Sequence, residues 1–203
     1  MPDIVPTRSA FLELRDERGG MREGYRFLDE KRLVLAGEIV ERLDAYAAAK
    51  KDFERLQKEA VQALRTAVEQ HGLAELTFYP AQHPINAKVR TDSRNILGVM
   101  ATSAELSTGR TETEPAVFDS PPADACRQCF QSLIEAATAM AAAGATLLRL
   151  WREYNNTSRR ARALEQVLLP ETEHNLRLIE SSLDEQEREE AIRVRHFREK
   201  RDQ

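Results

Sequence analysis

The chain has 203 residues, of which 30 are Lys or Arg and 34 are Asp or Glu, a formal charge of −4 that supplies no global drive toward nucleic acid or an anionic membrane surface. With 32% charged and only 6% aromatic residues, the composition excludes a large aromatic-filled core and suits long helices with narrow apolar seams. No segment approaches the roughly 18 consecutive apolar residues of a membrane span, and the N-terminus lacks the basic and apolar regions of a signal peptide, so a soluble, cytosolic chain is expected.

From Thr7, an N-cap preceded by Pro6, helical periodicity runs to Gln70 without an interior proline, and Gly72 ends it. Apolar residues fall at Phe11, Leu14, Met21, Tyr25, Leu28, Leu35, Ile39, Leu43, Tyr46, Phe53, Leu56, Ala60, Leu64 and Ala67, in steps of three, four or seven. One helix over 7–72 is predicted, a rod of roughly 95 Å at 1.5 Å per residue. Gly19, Gly20 and Gly24 weaken it locally, by roughly 1 kcal/mol each relative to Ala.

Residues 73–122 differ in character, with five prolines and clustered Ser and Thr, and read as a compact connector subdomain. Within it the apolar run Asn95, Ile96, Leu97, Gly98, Val99, Met100, Ala101 must be buried against something. Ile96, Leu97, Val99 and Met100 around Gly98 read as a short strand, which a hairpin returning near Ala116 to Phe118 could pair.

A second seam occupies 123–201: Cys126, Phe130, Leu133, Ala137, Met140, Gly144, Leu147, Trp151, Tyr154, Ala161, Leu164, Leu168, Leu176, Ile179, Leu183, Ala191, Val194 and Phe197. Pro170 interrupts it, removing one backbone hydrogen bond and crowding the preceding turn, so a kink or loosening is expected there. Neither helix can bury its stripe alone, and the connector lets the chain fold back. The predicted fold class is all-α, a long antiparallel two-helix coiled coil with a small central subdomain able to hold a short β-hairpin. Aligning the helix ends places Leu28 against the stretch from Leu168 to Ile179. A two-helix homodimer stands as the alternative at this point.

Outward pairs at i,i+4, Glu38 with Arg42, Glu54 with Lys58, Asp184 with Arg188 and Glu189 with Arg193, suit a solvated helix face. Cys126 and Cys129 form a C-x-x-C, but neither the strand of a thioredoxin-type site nor a second ligand pair for zinc accompanies it, so two small apolar residues at i and i+3 on a helix explain it better. His71, His83, His174 and His196 are scattered singly, and no metal is implied. Gly19 to Gly24 spaces two glycines as in a phosphate-binding loop, but Tyr25 and Arg26 stand where Lys and Ser or Thr belong, and no strand precedes them. No catalytic residue and no cofactor are expected.

Three ordered blocks carry a resemblance. Pro6, Thr7, Arg8, Phe11 and Leu12 are followed by Gly24, Phe27, Leu28, Lys31, Arg32 and Leu35. Asn95, Ile96, Leu97, Gly98 and Val99 stand in the middle. Near the end come Thr157, Arg159, Arg160, Ala161, Ala163, Leu164, Glu165, Val167, Leu169 and Pro170, then Ile179, Glu180, Ser181, Leu183, Glu185, Glu187, Arg188, Glu189 and Glu190. In type and spacing these resemble the D subunit of the V-type and A-type rotary ATPases. Asp29, Leu33, Gly19, Gly20 and Arg162 depart from the family pattern, which bears on partner contacts and on the identity of the ion.

The resemblance implies a non-catalytic central-stalk rotor that carries torque between the ion-translocating membrane ring and the catalytic head. Implied partners are the catalytic and non-catalytic A and B subunits of the head, the small F subunit of the central stalk, and a funnel-like C subunit that links to the ring. Neither nucleic acid nor direct membrane insertion is implied, and the location is peripheral, at the cytoplasmic face of the membrane. Thr7, Arg8, Lys31, Arg32, Arg159, Arg160, Glu187 and Arg188 become candidate head-contacting residues, and Asn95 to Val99 a candidate coupling element. The sign change from five acids in Asp184 to Glu190 to five Lys or Arg in Arg193 to Arg201 makes a basic collar suited to acidic loops. A structural coiled-coil tether or adaptor is the other class that fits the residues.

Overall fold

A computed structural model describes residues 5–79, 88–107 and 119–201. Its elements in chain order are α1 (Arg8–Leu76), β1 (Lys88–Ile96), β2 (Val99–Ser107), α2 (Pro121–Ala163), a five-residue π turn (Leu164–Leu168) and α3 (Leu169–Arg201). The chain divides into two compact units, residues 1–33 with 155–203, and residues 34–154.

Helix starts and breaks follow local chemistry. Thr7 caps α1, its Oγ1 accepting from the Ala10 amide at 3.2 Å and its carbonyl from the Phe11 amide at 3.0 Å. Gly72, at φ 75°, leaves helical geometry before a last turn to Leu76. Pro121 and Pro122 open α2, where no amide is needed, and Ser120 caps it by accepting from the Ala123 amide at 3.3 Å. Pro170 acts upstream of itself. Since it has no N–H to offer the Gln166 carbonyl, the ladder there widens to i→i−5, with the Leu169 amide donating to the Leu164 carbonyl.

In the second unit the segments of α1 and α2 run antiparallel, and Leu35 and Leu150, both fully buried, form its centre with Val99. Ile39 and Tyr154 pack against that cluster. A Cβ on Gly144 would lie 3.2 Å from Tyr46 Cε2, so glycine permits the close helix approach there.

β1 and β2 form a two-stranded antiparallel hairpin, with Ile96 paired to Val99 and Lys88 to Ser107. This corrects the expected strand: Gly98 sits in the turn, not within a strand, and the partner of Val99–Ser107 is Lys88–Ile96. The return near Ala116 to Phe118 lies outside the described residues. Leu97 (φ 48°) and Gly98 (φ 90°) both take positive φ, as a type I′ turn demands, and Asn95 Oδ1 accepts from the Gly98 amide at 2.8 Å. Ile96, Val99 and Ala101 are buried, which accounts for the apolar run, while Leu97 and Met100 stay exposed.

In the first unit, Arg8 Nη1 meets Glu187 at 3.1 Å, Arg22 Nη2 meets Glu173 at 2.7 Å, and Tyr25 Oη donates to Glu165 at 3.2 Å. These segments too are antiparallel, but the expected register is corrected. A Cβ on Gly24 would lie 3.9 Å from Leu164, so Leu28, one turn further along α1, is level with the residues just before Leu164 rather than with Leu168 to Ile179. Counting from the helix ends misplaced it because α3 runs on past Glu187, the partner of α1's first residue, and the π turn holds an extra residue.

Other seam expectations also shift. Leu43, Leu64, Trp151, Leu168, Val194 and Phe197 are exposed, while Leu150 and Thr157 are buried. Among the expected i,i+4 pairs, Glu38 with Arg42 (3.2 Å) and Glu189 with Arg193 (2.9 Å) form, whereas Glu54 meets Lys50 and Arg188 meets Glu185. One 18-residue window of the helical run Pro121–Arg201 reaches a mean hydropathy of 1.4, long and apolar enough for a span by length and composition. The expectation of no such segment counted consecutive apolar residues. The alanines clustered between Ala136 and Ala145 raise the mean across interspersed polar positions.

Candidate functional site

The candidate contact residues of the sequence all fall in the first unit, and the structure gives them different work. Thr7 is the cap of α1. Arg8 and Glu187 are brought together across 179 residues of sequence, yet their side chains remain 81% and 67% exposed, so the pair contributes at most about 1 kcal/mol. Arg32 pairs with Asp29 on its own helix, and Arg188 approaches Glu185 at 4.0 Å. Arg159 and Arg160 are exposed at the end of α2 and make no ion pair among the described residues.

The register collects these cations. Lys31 and Arg32 lie seven residues beyond Gly24 and Tyr25, whose partners are Leu164 and Glu165, and are therefore level with Thr157 and Ser158. Arg159 and Arg160 stand within a turn of that level, with Arg26 and Arg162 on either side. The result is a basic band around a seam that buries only Thr157, Ser158 and Ala161. At the next level, Tyr25 holds its proton more tightly than a free phenol, because its hydroxyl donates to Glu165 and ionisation would set two negative charges together.

Sequence reasoning missed a second charged region. Arg15, Arg18 and Arg177 line an open groove of about 400 Å³ with Phe11, Glu173, Leu176 and Glu180. Arg15 and Arg18 sit one turn apart on α1, but only the register shows that Arg177 of α3 joins them. The Arg22 with Glu173 pair borders the same groove and had no sequence signal either.

The remaining chemistry-bearing side chains lie in the second unit. Burial pushes the Cys126 thiol up, with Cys129 adding to the shift, the opposite of the low-pKa thiol an oxidoreductase needs. Both cysteines are free and lie on α2. Arg127 lies over the Tyr79 ring at 5.2 Å and meets Asp124 at 3.1 Å, and the Tyr79 hydroxyl donates to the same carboxylate at 3.0 Å. Among the described residues, no group of three or more His, Cys, Asp or Glu could hold a metal ion.

The candidate coupling element is well built. Thr146 Oγ1 accepts from the Thr102 amide and donates to the Thr102 carbonyl, both at 2.9 Å, as a neighbouring strand would. Arg149 Nη1 donates to the Met100 carbonyl at 3.3 Å and to Thr102 Oγ1 at 2.9 Å. With Val99 packed in one buried cluster with Leu35 and Leu150, the hairpin is fixed to both helices at its turn end.

The family model described as the ATP synthase D subunit matches residues 10–199. The chain is 32% identical over 206 residues to the V-type ATP synthase D subunit of Anaeromyxobacter dehalogenans, covering 98% of this chain and 97% of that relative. It is 28% identical over 199 residues to the A-type ATP synthase D subunit of Thermococcus sibiricus, covering 96% and 93%. A third relative, the A-type ATP synthase D subunit of Methanopyrus kandleri, is 30% identical over 206 residues, 98% of this chain and 87% of its own length.

Proposed function

Since the chain belongs to the family of ATP synthase D subunits, we propose that it is the central-stalk rotor of a V-type or A-type rotary ATPase, a mechanical element with no catalytic site of its own. The observation that carries this reading is the pairing of long helices in register along both units, joined in the first by Arg8 with Glu187 and Arg22 with Glu173 and in the second by the Leu35, Val99, Leu150 cluster. A paired-helix element resists twist where a single helix would yield.

In this reading the catalytic and non-catalytic A and B subunits of the head surround the first unit, and the small F subunit and the funnel-like C subunit bind the second. The complex sits peripherally at the cytoplasmic face of the membrane. The exposed Arg159 and Arg160 of the basic band meet acidic loops of the head, through pairs that bias orientation without locking it. Coupling arises because the shaft binds the three catalytic interfaces differently at each angle, so nucleotide state and angle are reciprocally linked.

The test is a rotation assay on the reconstituted complex. With Cys126 and Cys129 changed to Ala, Leu73→Cys gives a label site that is 70% exposed. ATP should turn the label in discrete steps about a fixed axis while the head is immobilised. A head that hydrolyses ATP with this chain bound but stationary would refute the rotor reading and leave the tether.

A further inference from the structure

The hairpin treats its two edges differently. In a two-residue hairpin closed by Ile96 and Val99, alternate residues direct their backbone groups inward to the partner strand and outward to the edge. Val99, Ala101 and Ser103 of β2 face inward, and Met100, Thr102, Ala104 and Leu106 face outward. The contacts agree: the Met100 carbonyl and both backbone groups of Thr102 point away from β1 and are taken up by Arg149 and Thr146. The β2 edge is thus covered by α2 where the two meet.

Among the described residues β1 has no such cover. By the same register its outward residues are Val89, Thr91, Ser93 and Asn95, and no described residue hydrogen-bonds their outward backbone groups. Every β1 residue except Ile96 is exposed, so neither face rests on a helix. An edge of this kind is a template for one more strand. Its side chains restrict which strand: Lys88, Arg90 and Arg94 oppose a single acid, Asp92. Two copies of β1 would bring together strands each carrying three cations and one anion. An extended segment bearing carboxylates would instead find an opposite charge across the edge at Arg90 and Arg94.

We propose that the outer edge of β1 accepts an extended, acidic strand from a different protein of the assembled ATPase, so that the hairpin becomes a three-stranded sheet shared between two chains. The proposal rests on the rotor reading only in taking the partner from that complex. It does not require that the complex rotate.

Strand addition has a signature that simple coverage lacks, a period of two in the amides it protects. Amide exchange read at single residues would be compared between the purified chain and the assembled complex. The Thr91 and Ser93 amides should slow at least tenfold on assembly, whereas the Asp92 and Arg94 amides, already bonded to β2, should change little. Ser93→Pro removes one outward donor from an edge position that tolerates proline. It should abolish the added protection while Arg94 stays slow, with Ser93→Ala behaving as the unaltered chain. Arg90→Glu with Arg94→Glu should also abolish it. Equal slowing at all four positions, no slowing, persistence in the double charge variant, or protection already present in a self-associated purified chain would each overturn the proposal. A label that turns in the rotation assay beside unprotected outward amides would reject strand addition alone. A stationary label beside alternating protection would reject the rotor alone.

Discussion

Thr146→Val removes one hydroxyl and keeps the side-chain volume, so it isolates the polar part of hairpin docking. That hydroxyl belongs to a residue only 2% exposed and serves both the amide and the carbonyl of Thr102 at 2.9 Å. Leaving a buried backbone group without a partner costs about 1–3 kcal/mol. Thr102 is only partly buried, so water can reach its freed groups, and the lower figure applies to each. The sum is about 2 kcal/mol, roughly a 30-fold rise in local opening at 1.4 kcal/mol per factor of ten. Exchange of the Thr102 amide reports it directly, and a urea transition followed by circular dichroism shows whether the loss stays local. Thr146→Ser keeps the hydroxyl and should retain most of the Thr102 protection. A valine variant whose Thr102 amide exchanges at the unaltered rate would refute the view that α2 substitutes for a strand there.

Gly19→Ala with Gly20→Ala should stabilise the chain by about 1–2 kcal/mol, since nothing lies within 4 Å of either added Cβ and both positions are helical; the urea midpoint would rise without a change of slope. Leu97→Asn should slow opening of the turn by about 1 kcal/mol, because Leu at φ 48° is strained, Asn tolerates that region, and Leu97 is 44% exposed; Val99 amide exchange would report it. Above the ordinary tyrosine range stability should fall with pH: the Tyr25 pKa is raised in the folded state, so folded chains hold protons that unfolded ones release, and the contribution present below pH 10.0 is lost as pH rises through the folded value. Tyr25→Phe should remove that part of the alkaline slope in denaturation curves measured from about pH 8 to about pH 11. Phe27→Ala with Trp151→Ala, at side chains 64% and 56% exposed, should leave the purified chain's stability within about 0.5 kcal/mol while weakening its incorporation into the complex, measured by co-purification with the head.

The helices were legible because each has a periodic stripe over many turns, and Thr7, Gly72 and Pro170 are residues whose local chemistry caps, ends or disturbs a helix wherever they stand. The hairpin was only half legible. KVRTDSRN is polar on both faces because β1 is exposed on both, so no alternation marks it as a strand. The turn carries glycine at its second position but Leu97 at the first, where the sequence rule looks for Asn or Asp. Register lay outside local reasoning altogether. Which residues meet across α1 and α3 depends on where the helices end and on the extra residue of the π turn, so the basic band was readable as composition while the groove of Arg15, Arg18 and Arg177 was not.

The exposed apolar side chains follow from the same narrow seam. Over the 69 residues of α1 only Leu35, Ala60 and Ala67 are buried, and along all the helices the most fully enclosed positions include small ones, Ala60, Ala67, Ala161, Thr157 and Thr172, which let the backbones approach closely. Beside Leu35, Leu150, Leu176 and Ile179 the seam encloses few large side chains, and Phe27, Val40, Leu148 and Trp151 stand outward. Toward the end of α3, Ile192, Val194 and Phe197 are exposed among the five Lys or Arg side chains of Arg193 to Arg201. Apolar surface of this extent is costly to leave in water unless an assembly covers it. The stability of the isolated chain and its affinity for partners are then set by different residues: Leu35, Leu150, Leu176 and Ile179, with small residues and hydroxyls along the seam, hold the helices together, and the large apolar and cationic ones outside it face whatever surrounds them.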